Sequence, residues 1–233
     1  MLGAFGSPLL VNTGIRPWYG SPFCTEWYWT TKAHNALEID GRGQPKTAAA
    51  TGRLIVFQPG GDYDYVVGDA TPAYGDKIER YRRHLLFMKP DVAVIADEVR
   101  ARNPVSLKFW LHGRAPFTID PAGGRVALTF ERASLAGCLR APGGLTITQT
   151  DRYPIPPEMG RTRPEWHVAA ETNQKQTDAR VIAVLCVGKA GETAGPDLVE
   201  DASSPGTIVV KFQRNRKPVT VAIDTSAPSV RIR

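Results

Sequence analysis

The stretch YRRHLLFM-KPD-VAVIADEV, residues 81–99, decides the fold class. Tyr81–Met88 and Val92–Val99 are rich in β-branched and aromatic residues, which is typical of strands. Lys89-Pro90-Asp91 between them is a turn signal, because proline fixes φ at a corner. The two runs are therefore predicted to form a hairpin, with the adjacent Arg82 and Arg83 on its opposite faces.

The same period of two recurs on both sides of this hairpin, whereas no window of a dozen residues keeps a period of 3.6. Turn residues separate the further predicted strands, which are Gly52–Gln58, Tyr63–Asp69, Ser106–His112, Arg125–Glu131, Leu145–Thr150, His167–Thr172, Arg180–Val187, Thr207–Phe212, Val219–Ile223 and Ser229–Ile232. So many strands would strain one sheet, so two packed sheets are expected. The prediction is an all-β, two-sheet antiparallel β-sandwich with less than about 10% helix.

A single domain is predicted over residues 1–233, because no clear boundary interrupts the strand pattern. An entry segment over residues 1–45 precedes the strand-rich part and differs from it in composition. An acidic surface loop, rich in glycine, alanine and serine, is predicted over residues 188–206. The cysteines are widely spaced, and Cys186 lies in an apolar run, where it is interpreted as a small buried hydrophobe.

Composition limits the partners. The net charge of +6 raises the encounter rate with any polyanion, but the basic residues are scattered, so no nucleic-acid partner is expected. No apolar run approaches the roughly 18–20 residues of a membrane span, so no membrane partner is expected. The N-terminal residues show neither a basic region nor a long apolar region, so no secretory signal is expected and the compartment is left open.

The entry segment holds three of the five tryptophans, Trp18, Trp27 and Trp29. If residues 27–29 form a strand, Trp27 and Trp29 share one face. Two interpretations stay open: this face packs against the core, or it is a platform for sugar rings. Arg82 is likewise either paired with an acidic side chain or able to bind the carboxylate of an acidic sugar in a bidentate manner. Trp27, Trp29 and Arg82 are the candidate substrate-binding residues.

Taken alone, the histidines point to structure more than to chemistry. His34 precedes the alternating run Ala36–Ile39 and is either a structural residue or a ligand. His84, His112 and His167 show no metal-like spacing with one another and are interpreted as structural.

Four elements in sequence order carry a resemblance to a known family. They are PLLVNTG (residues 8–14) with TKAHNALEIDGRGQ (residues 31–44), DYVVGDATPAY (residues 64–74), RRHLLFMKPDVAVIADEV (residues 82–99) and FWLH (residues 109–112). Together they resemble the sandwich domain of the heparinase II/III-like polysaccharide lyases. Members of this family join an α/α-toroid to a β-sandwich, act on heparan-type glycosaminoglycans, alginate and related uronic-acid polymers, and are often periplasmic or secreted.

The resemblance implies a chemistry and a set of positions. Such lyases work by β-elimination: a base removes the proton α to the uronate carboxyl, and an acid protonates the leaving glycosidic oxygen. They hold a zinc ion by His, Asp and His. The second zinc histidine falls on His34, and the Asp position falls on Asn12, whose neutral carbonyl oxygen is a weaker zinc ligand than a carboxylate. The first zinc histidine and the catalytic histidine fall before Gly6, so no catalytic residue is assigned to this chain.

The leading hypothesis is therefore the β-sandwich domain of a uronic-acid polysaccharide lyase, inactive alone because the catalytic toroid is absent. Its expected partners are an acidic polysaccharide and a separate toroid domain or chain. Zinc, if bound through Asn12 and His34, is expected to be weak, because zinc sites take three or four protein ligands. The alternatives are a stand-alone module that binds acidic carbohydrate and a structural remnant domain.

Overall fold

The computed structural model describes residues 1–14, 20–75, 77–155, 165–192 and 195–233. Strands make up 58% and helical turns 6%, so the prediction of a nearly helix-free chain is confirmed. The strands are β1 (Leu2–Ala4), β2 (Ser7–Leu10), β3 (Leu37–Ile39), β4 (Arg53–Gln58), β5 (Tyr63–Asp69), β6 (Ile78–Met88), β7 (Val92–Val105), β8 (Leu107–Gly113), β9 (Thr118–Asp120), β10 (Arg125–Phe130), β11 (Ala133–Arg140), β12 (Leu145–Thr150), β13 (Trp166–Thr172), β14 (Gln176–Lys189), β15 (Asp197–Asp201), β16 (Thr207–Arg214), β17 (Lys217–Asp224) and β18 (Ser229–Ile232).

The strands form a large central sheet and smaller ones around it. The central sheet has eight strands in the order β4-β5-β6-β7-β14-β11-β10-β9. Two four-stranded sheets have the orders β12-β13-β8-β3 and β15-β16-β17-β18, and β1 pairs with β2. Every pairing among these strands is antiparallel. We call the β12-β13-β8-β3 sheet the front sheet and the β15-β16-β17-β18 sheet the back sheet.

The predicted hairpin at residues 81–99 is confirmed as β6 and β7, with Met88 paired to Val92 next to the turn. Because side chains alternate along a strand, Arg82 and Arg83 leave opposite faces of β6. Arg83 reaches the segment before β3, on the side of the front sheet. Arg82 reaches the turn between β17 and β18, on the side of the back sheet.

Each face of the central sheet carries its own core. The front core packs central-sheet residues such as Val99 and Leu185 against the front-sheet residues Phe109 and Val168. The back core packs Val94, Ile182 and Val184 against Val210, Phe212 and Val221 of the back sheet. Burial of each such side chain contributes about 1.5–3 kcal/mol. The predicted antiparallel sandwich is confirmed, and the structure extends it to three layers because β7 and β14 are apolar on both faces.

The region predicted as an acidic surface loop, residues 188–206, contains a strand. β15 pairs with β16, and Val199 on β15 is buried in the back core. Acidic residues hide this strand in the sequence, because they flank its two apolar residues, Leu198 and Val199, on both sides. The interpretation of Cys186 as a buried small residue is confirmed, since its exposed fraction is 9%. Within the described residues, no helix is long and apolar enough to cross a membrane.

In the described parts of the chain, three short helical turns lie outside the strands: a π-helical turn at Cys24–Tyr28 and 3₁₀ turns at Thr31–Ala33 and Thr71–Ala73. The first covers Trp27 and Tyr28, so the condition of a strand over residues 27–29, on which a shared face of Trp27 and Trp29 depended, is not met. The backbone N–H groups of Trp29 and Thr30 donate to the carbonyls of Cys24 and Trp27 within the turn rather than to a neighbouring strand. Trp18 lies outside the described residues.

Candidate functional site

Two segments of the entry region run side by side and bring Asn12 opposite His34. The backbone N–H of Thr13 donates to the carbonyl oxygen of Ala33 at 3.0 Å. On the other side of Asn12 and His34, Asn35 Nδ2 donates to the carbonyl oxygen of Val11 at 2.8 Å. These bonds flank Asn12 on one segment and His34 on the other, so the backbone places the two predicted metal residues across from each other. Asn12 is exposed and His34 is half-buried.

Asn35 ties three parts of the chain together. Besides its bond to Val11, its side-chain Oδ1 accepts from the backbone N–H of His112 on β8 at 2.9 Å. Its own carbonyl oxygen accepts from Arg83 Nη1 on β6 at 2.7 Å. Asn35 therefore fixes the entry segment to both the front sheet and the central sheet. The sequence shows the asparagine beside His34, but its partners are 24, 77 and 48 residues away, so spacing could not reveal this function.

Arg83 is held by a buried carboxylate. Its Nε and Nη2 donate to Asp97 Oδ1 and Oδ2, each at 2.7 Å, which is a bidentate pair. Asp97 is fully buried and also accepts from the Tyr81 hydroxyl at 3.1 Å. The guanidinium of Arg83 is thereby oriented so that its remaining edge meets Asn35. This network sets the position of the segment that carries His34.

A pair of buried histidines lies directly behind that segment. His112 Nδ1 and His167 Nδ1 are 3.1 Å apart, and His112 Nε2 is 3.2 Å from the carbonyl oxygen of His34. A carbonyl can only accept, so His112 carries its proton on Nε2 and accepts at Nδ1 from His167. His167 Nε2 is then the unprotonated nitrogen, and it is buried without a hydrogen-bond partner among the described residues.

Burial sets the charge of these imidazoles. Burial, with the neighbouring His167 as a smaller cause, lowers the pKa of His112 to about 3. Burial lowers the pKa of His167 to about 4. His34 is less enclosed, and burial lowers its pKa although a hydrogen bond with the Tyr28 backbone works in the opposite direction. All three are therefore neutral near pH 7, and neutral imidazole is the form that accepts a proton or binds a metal.

Trp27 packs against the histidine pair instead of facing solvent. Its ring centroid is 5.0 Å from that of His167 and 5.7 Å from that of Tyr153. Its indole N–H donates to Thr13 Oγ1 at 2.8 Å, and only 3% of the residue is exposed. In this arrangement Trp27 offers no open face to a sugar ring, so the core-packing interpretation holds for it. Trp29 is half-buried, and its contact with sugar stays a prediction.

A buried acid joins the entry segment to the end of the front sheet. Glu165 Oε2 accepts from the Tyr153 hydroxyl at 2.8 Å and from the backbone N–H of Gly14 at 2.7 Å. Burial, followed by the negative charge of Glu165, raises the pKa of Tyr153 far above its usual range. The phenol therefore stays protonated. We call the group formed by Thr13, Trp27, His112, Tyr153, Glu165 and His167 the entry cluster.

The described residues hold no group of three or more His, Cys, Asp or Glu side chains that could bind a metal ion. Asn12 and His34 supply one neutral amide oxygen and one imidazole, which falls short of the three or four protein ligands of a zinc site. Within the described part of the chain, these two residues alone therefore do not fit a zinc ion.

Arg82 lies away from the entry cluster. Its Nη1 donates to the carbonyl oxygen of Thr225 at 2.9 Å, on the back face of the central sheet. Its Nε is buried and has no hydrogen-bond partner among the described residues. Arg82 and His34 therefore cannot contact one sugar unit, and a substrate contact by Arg82 stays a prediction.

Comparisons with known proteins identify one family and several solved structures with a similar fold. The family model described as "Heparinase II/III-like, C-terminal" matches residues 2–224. The sequence matches no curated protein. A solved heparinase III gene product is similar with a TM-score of 0.75 and 16% identity, over 93% of this chain and 34% of its own.

Two further solved structures are similar. The heparan sulfate lyase HepC of Pedobacter heparinus has a TM-score of 0.73 and 15% identity, over 94% of this chain and 35% of its own. A second heparinase III has a TM-score of 0.69 and 18% identity, over 88% of this chain and 31% of its own. The chain thus spans about a third of the length of each of these proteins.

Proposed function

This chain belongs to the heparinase II/III-like C-terminal family, and from that premise we propose that it is the β-sandwich domain of a lyase that cleaves uronic-acid polysaccharides. The observation that carries the proposal is the family match over residues 2–224. The similarity of the fold to heparinase III and to a heparan sulfate lyase supports it. Heparan-type glycosaminoglycans and alginate are the proposed substrate classes, because both are acidic polymers of uronic acid.

The reaction is a β-elimination on the uronate. A base removes the proton on the carbon next to the carboxyl group, and the electron pair forms a carbon–carbon double bond as the glycosidic C–O bond breaks. An acid donates a proton to the leaving oxygen. The negative charge that develops on the carboxyl group needs a neutralising partner.

We propose that this chain positions the substrate-facing surface and does not supply the base and acid. The entry cluster is neutral apart from Glu165; its imidazoles are buried and its phenol is half-buried. Asn12 and His34 are the more accessible polar residues at that end. We propose them as two members of a weak zinc site that a water molecule or a neighbouring domain completes. Zinc bound there would supply a positive charge.

Two experiments test the proposed function. The isolated chain is incubated with heparan sulfate and with alginate, and the ultraviolet absorbance of the unsaturated product is followed. No rise is expected, because the catalytic groups belong to a toroid; clear turnover by the chain would show that this division of labour is wrong. The gene region is then read for a helical toroid and for the zinc-binding and catalytic histidines that the resemblance places before Gly6, and their absence would count against a lyase.

A binding role without cleavage is the second candidate, and the net charge of +6 favours contact with an acidic glycan. Retention on an immobilised acidic glycan column, lost at high salt, is expected for a binding module and not for a structural remnant. A chain that passes through the column unretarded at low salt would rule out the binding module.

A further inference from the structure

A polar groove lies on the back face of the central sheet, far from Asn12 and His34. It encloses about 200 Å³ where β6, β7 and β14 meet the segment of residues 203–207 that leads into β16. Its charged lining consists of Arg80, Arg100, Arg180, Glu98 and Asp178. Each of the three arginines has a carboxylate partner, because Arg80 pairs with Glu98, Arg100 with Asp178, and Arg180 with Asp201 just outside the lining. We call it the arginine groove.

The strand register builds the groove from two cross-strand rows. Arg80 lies directly opposite Arg100, which lies opposite Asp178. In the next row, Glu98 lies between Arg82 and Arg180. Two like charges placed directly opposite each other destabilise a sheet. Glu98 and Asp178 offset part of the repulsion between Arg80 and Arg100, and an anion bound beside both guanidinium groups would reduce it further.

Arg100 and Arg180 each use only part of their hydrogen-bond donors within the described part of the chain. Arg100 donates from Nε to Asp178 at 2.8 Å, and Arg180 donates from Nε to Asp201 at 2.7 Å. Among the described residues, the terminal nitrogens of Arg100 and Arg180 donate to no protein acceptor. A guanidinium has five N–H donors and its terminal edge matches the two oxygens of an oxyanion. Both side chains therefore have their bidentate edge left over.

One buried donor at the bottom of the groove is also unsatisfied. Arg80 and Glu98 form an ion pair in which Arg80 Nη2 donates to Glu98 Oε2 at 3.4 Å, but the buried Nε and Oε1 atoms, 3.3 Å apart, make no hydrogen bond in the described part of the chain. Leaving buried donors and acceptors unpaired costs free energy, about 1–3 kcal/mol each. An oxyanion or a water molecule that enters the groove can accept from Arg80 Nε, whereas Glu98 Oε1 needs a donor such as water.

We propose that the arginine groove binds a sulfate or carboxylate group of an acidic sugar, as a glycan contact remote from the entry cluster. Oxyanions fit the leftover donor geometry, and the volume admits one such group rather than a whole oligosaccharide. The choice of an acidic sugar as the source of the oxyanion rests on the proposed function. The oxyanion chemistry rests on the groove alone.

The test uses two substitutions that should change binding in opposite directions. R100Q removes one free guanidinium edge and should weaken binding about three- to tenfold, a modest share of what a charge-assisted hydrogen bond contributes. D178N removes the anion that competes for Arg100 and should tighten binding several-fold. Both side chains are at least half exposed, so neither change should unfold the chain. R216Q is the matched control, since Arg216 is exposed in the β16–β17 turn, at the end of that hairpin opposite residues 203–207.

Binding is measured by NMR titration of the ¹⁵N-labelled chain with a sulfated heparan oligosaccharide and, separately, with sodium sulfate. Shifts at the Gly206 amide and at the Arg100 and Arg180 Nε–H, with the opposite effects of R100Q and D178N, support the proposal. The proposal is overturned if the oligosaccharide binds all variants with equal affinity. It is also overturned if sodium sulfate shifts these signals and the oligosaccharide does not. Neither outcome affects the proposed function, which the gene region and the absorbance assay test independently.

Discussion

His112 and His167 face each other through their Nδ1 atoms, 3.1 Å apart, in a site where both imidazoles are almost completely buried. They lie on neighbouring strands, β8 and β13, and are directly opposite in the register. Their pKa values are lowered to about 3 and about 4. Part of the free energy of unfolding therefore depends on both imidazoles being neutral.

That dependence predicts a loss of stability in mild acid. Unfolded histidine titrates near pH 6.5, so the unfolded chain binds more protons than the folded chain between about pH 6.5 and pH 4. The stabilisation is complete above pH 6.5 and falls as the pH drops. From pH 7 to pH 5 we expect a loss of about 2 kcal/mol per histidine, measured by urea unfolding. H167N keeps a donor for His112 but cannot titrate, so it should lose about half as much; an equal loss would contradict the assignment.

Substitution of Asn35 should destabilise the whole entry region. N35A removes two side-chain hydrogen bonds and leaves the Val11 carbonyl and the His112 N–H without a partner. The expected loss in the free energy of unfolding is about 2–4 kcal/mol. Asn103 is exposed on β7 and serves as the control, since N103A should change stability by less than about 0.5 kcal/mol. Similar values for both variants would show that Asn35 is not the tie described above.

The buried Arg83–Asp97 pair should contribute far more to the free energy of unfolding than the exposed Arg100–Asp178 pair. D97N leaves a guanidinium without its buried carboxylate, and we expect a loss of about 3–5 kcal/mol. D178N breaks a pair whose side chains are 50% and 67% exposed, and about 0–1 kcal/mol is expected. Chemical denaturation of the two variants under one set of conditions makes the comparison. If D97N lowers the free energy of unfolding no more than D178N does, the buried pair does not stabilise the fold more than the exposed pair.

A single substitution should strengthen the proposed zinc site. N12D supplies the carboxylate oxygen that zinc binds better than an amide oxygen, and Asn12 is exposed, so the fold should tolerate it. Competition with a chromophoric chelator should give an affinity at least about tenfold higher than that of the natural chain, since even an outer-shell partner of a metal ligand contributes about 10- to 100-fold. H34A in the N12D background should abolish the gain. If N12D and N12D/H34A bind zinc equally, Asn12 and His34 do not share an ion.

The parts that the sequence predicts well are those governed by local alternation. The β6–β7 hairpin and the opposite faces of Arg82 and Arg83 follow from a period of two and a turn, and the structure confirms both. The entry cluster is different, because it depends on register. His112 and His167 meet only when β8 and β13 pair in one particular alignment, and 55 residues separate them in the chain. The burial of Trp27 was not predictable from the local pattern, because its side chain packs against His167 and donates to Thr13, and both lie elsewhere in the chain.

The three-layer arrangement has a consequence for how such a domain can pass between larger proteins during evolution. The strands β7 and β14 present apolar side chains on both faces of the central sheet, so the back sheet is needed to cover one of these faces. A gene that ended before β15 would leave Val94, Ile182 and Val184 on an open face, and broad apolar patches of that kind promote aggregation. Fusion, fission and domain exchange are therefore confined to the outer ends of the sandwich. The arginine groove, lodged between two of its layers, must be inherited together with the fold.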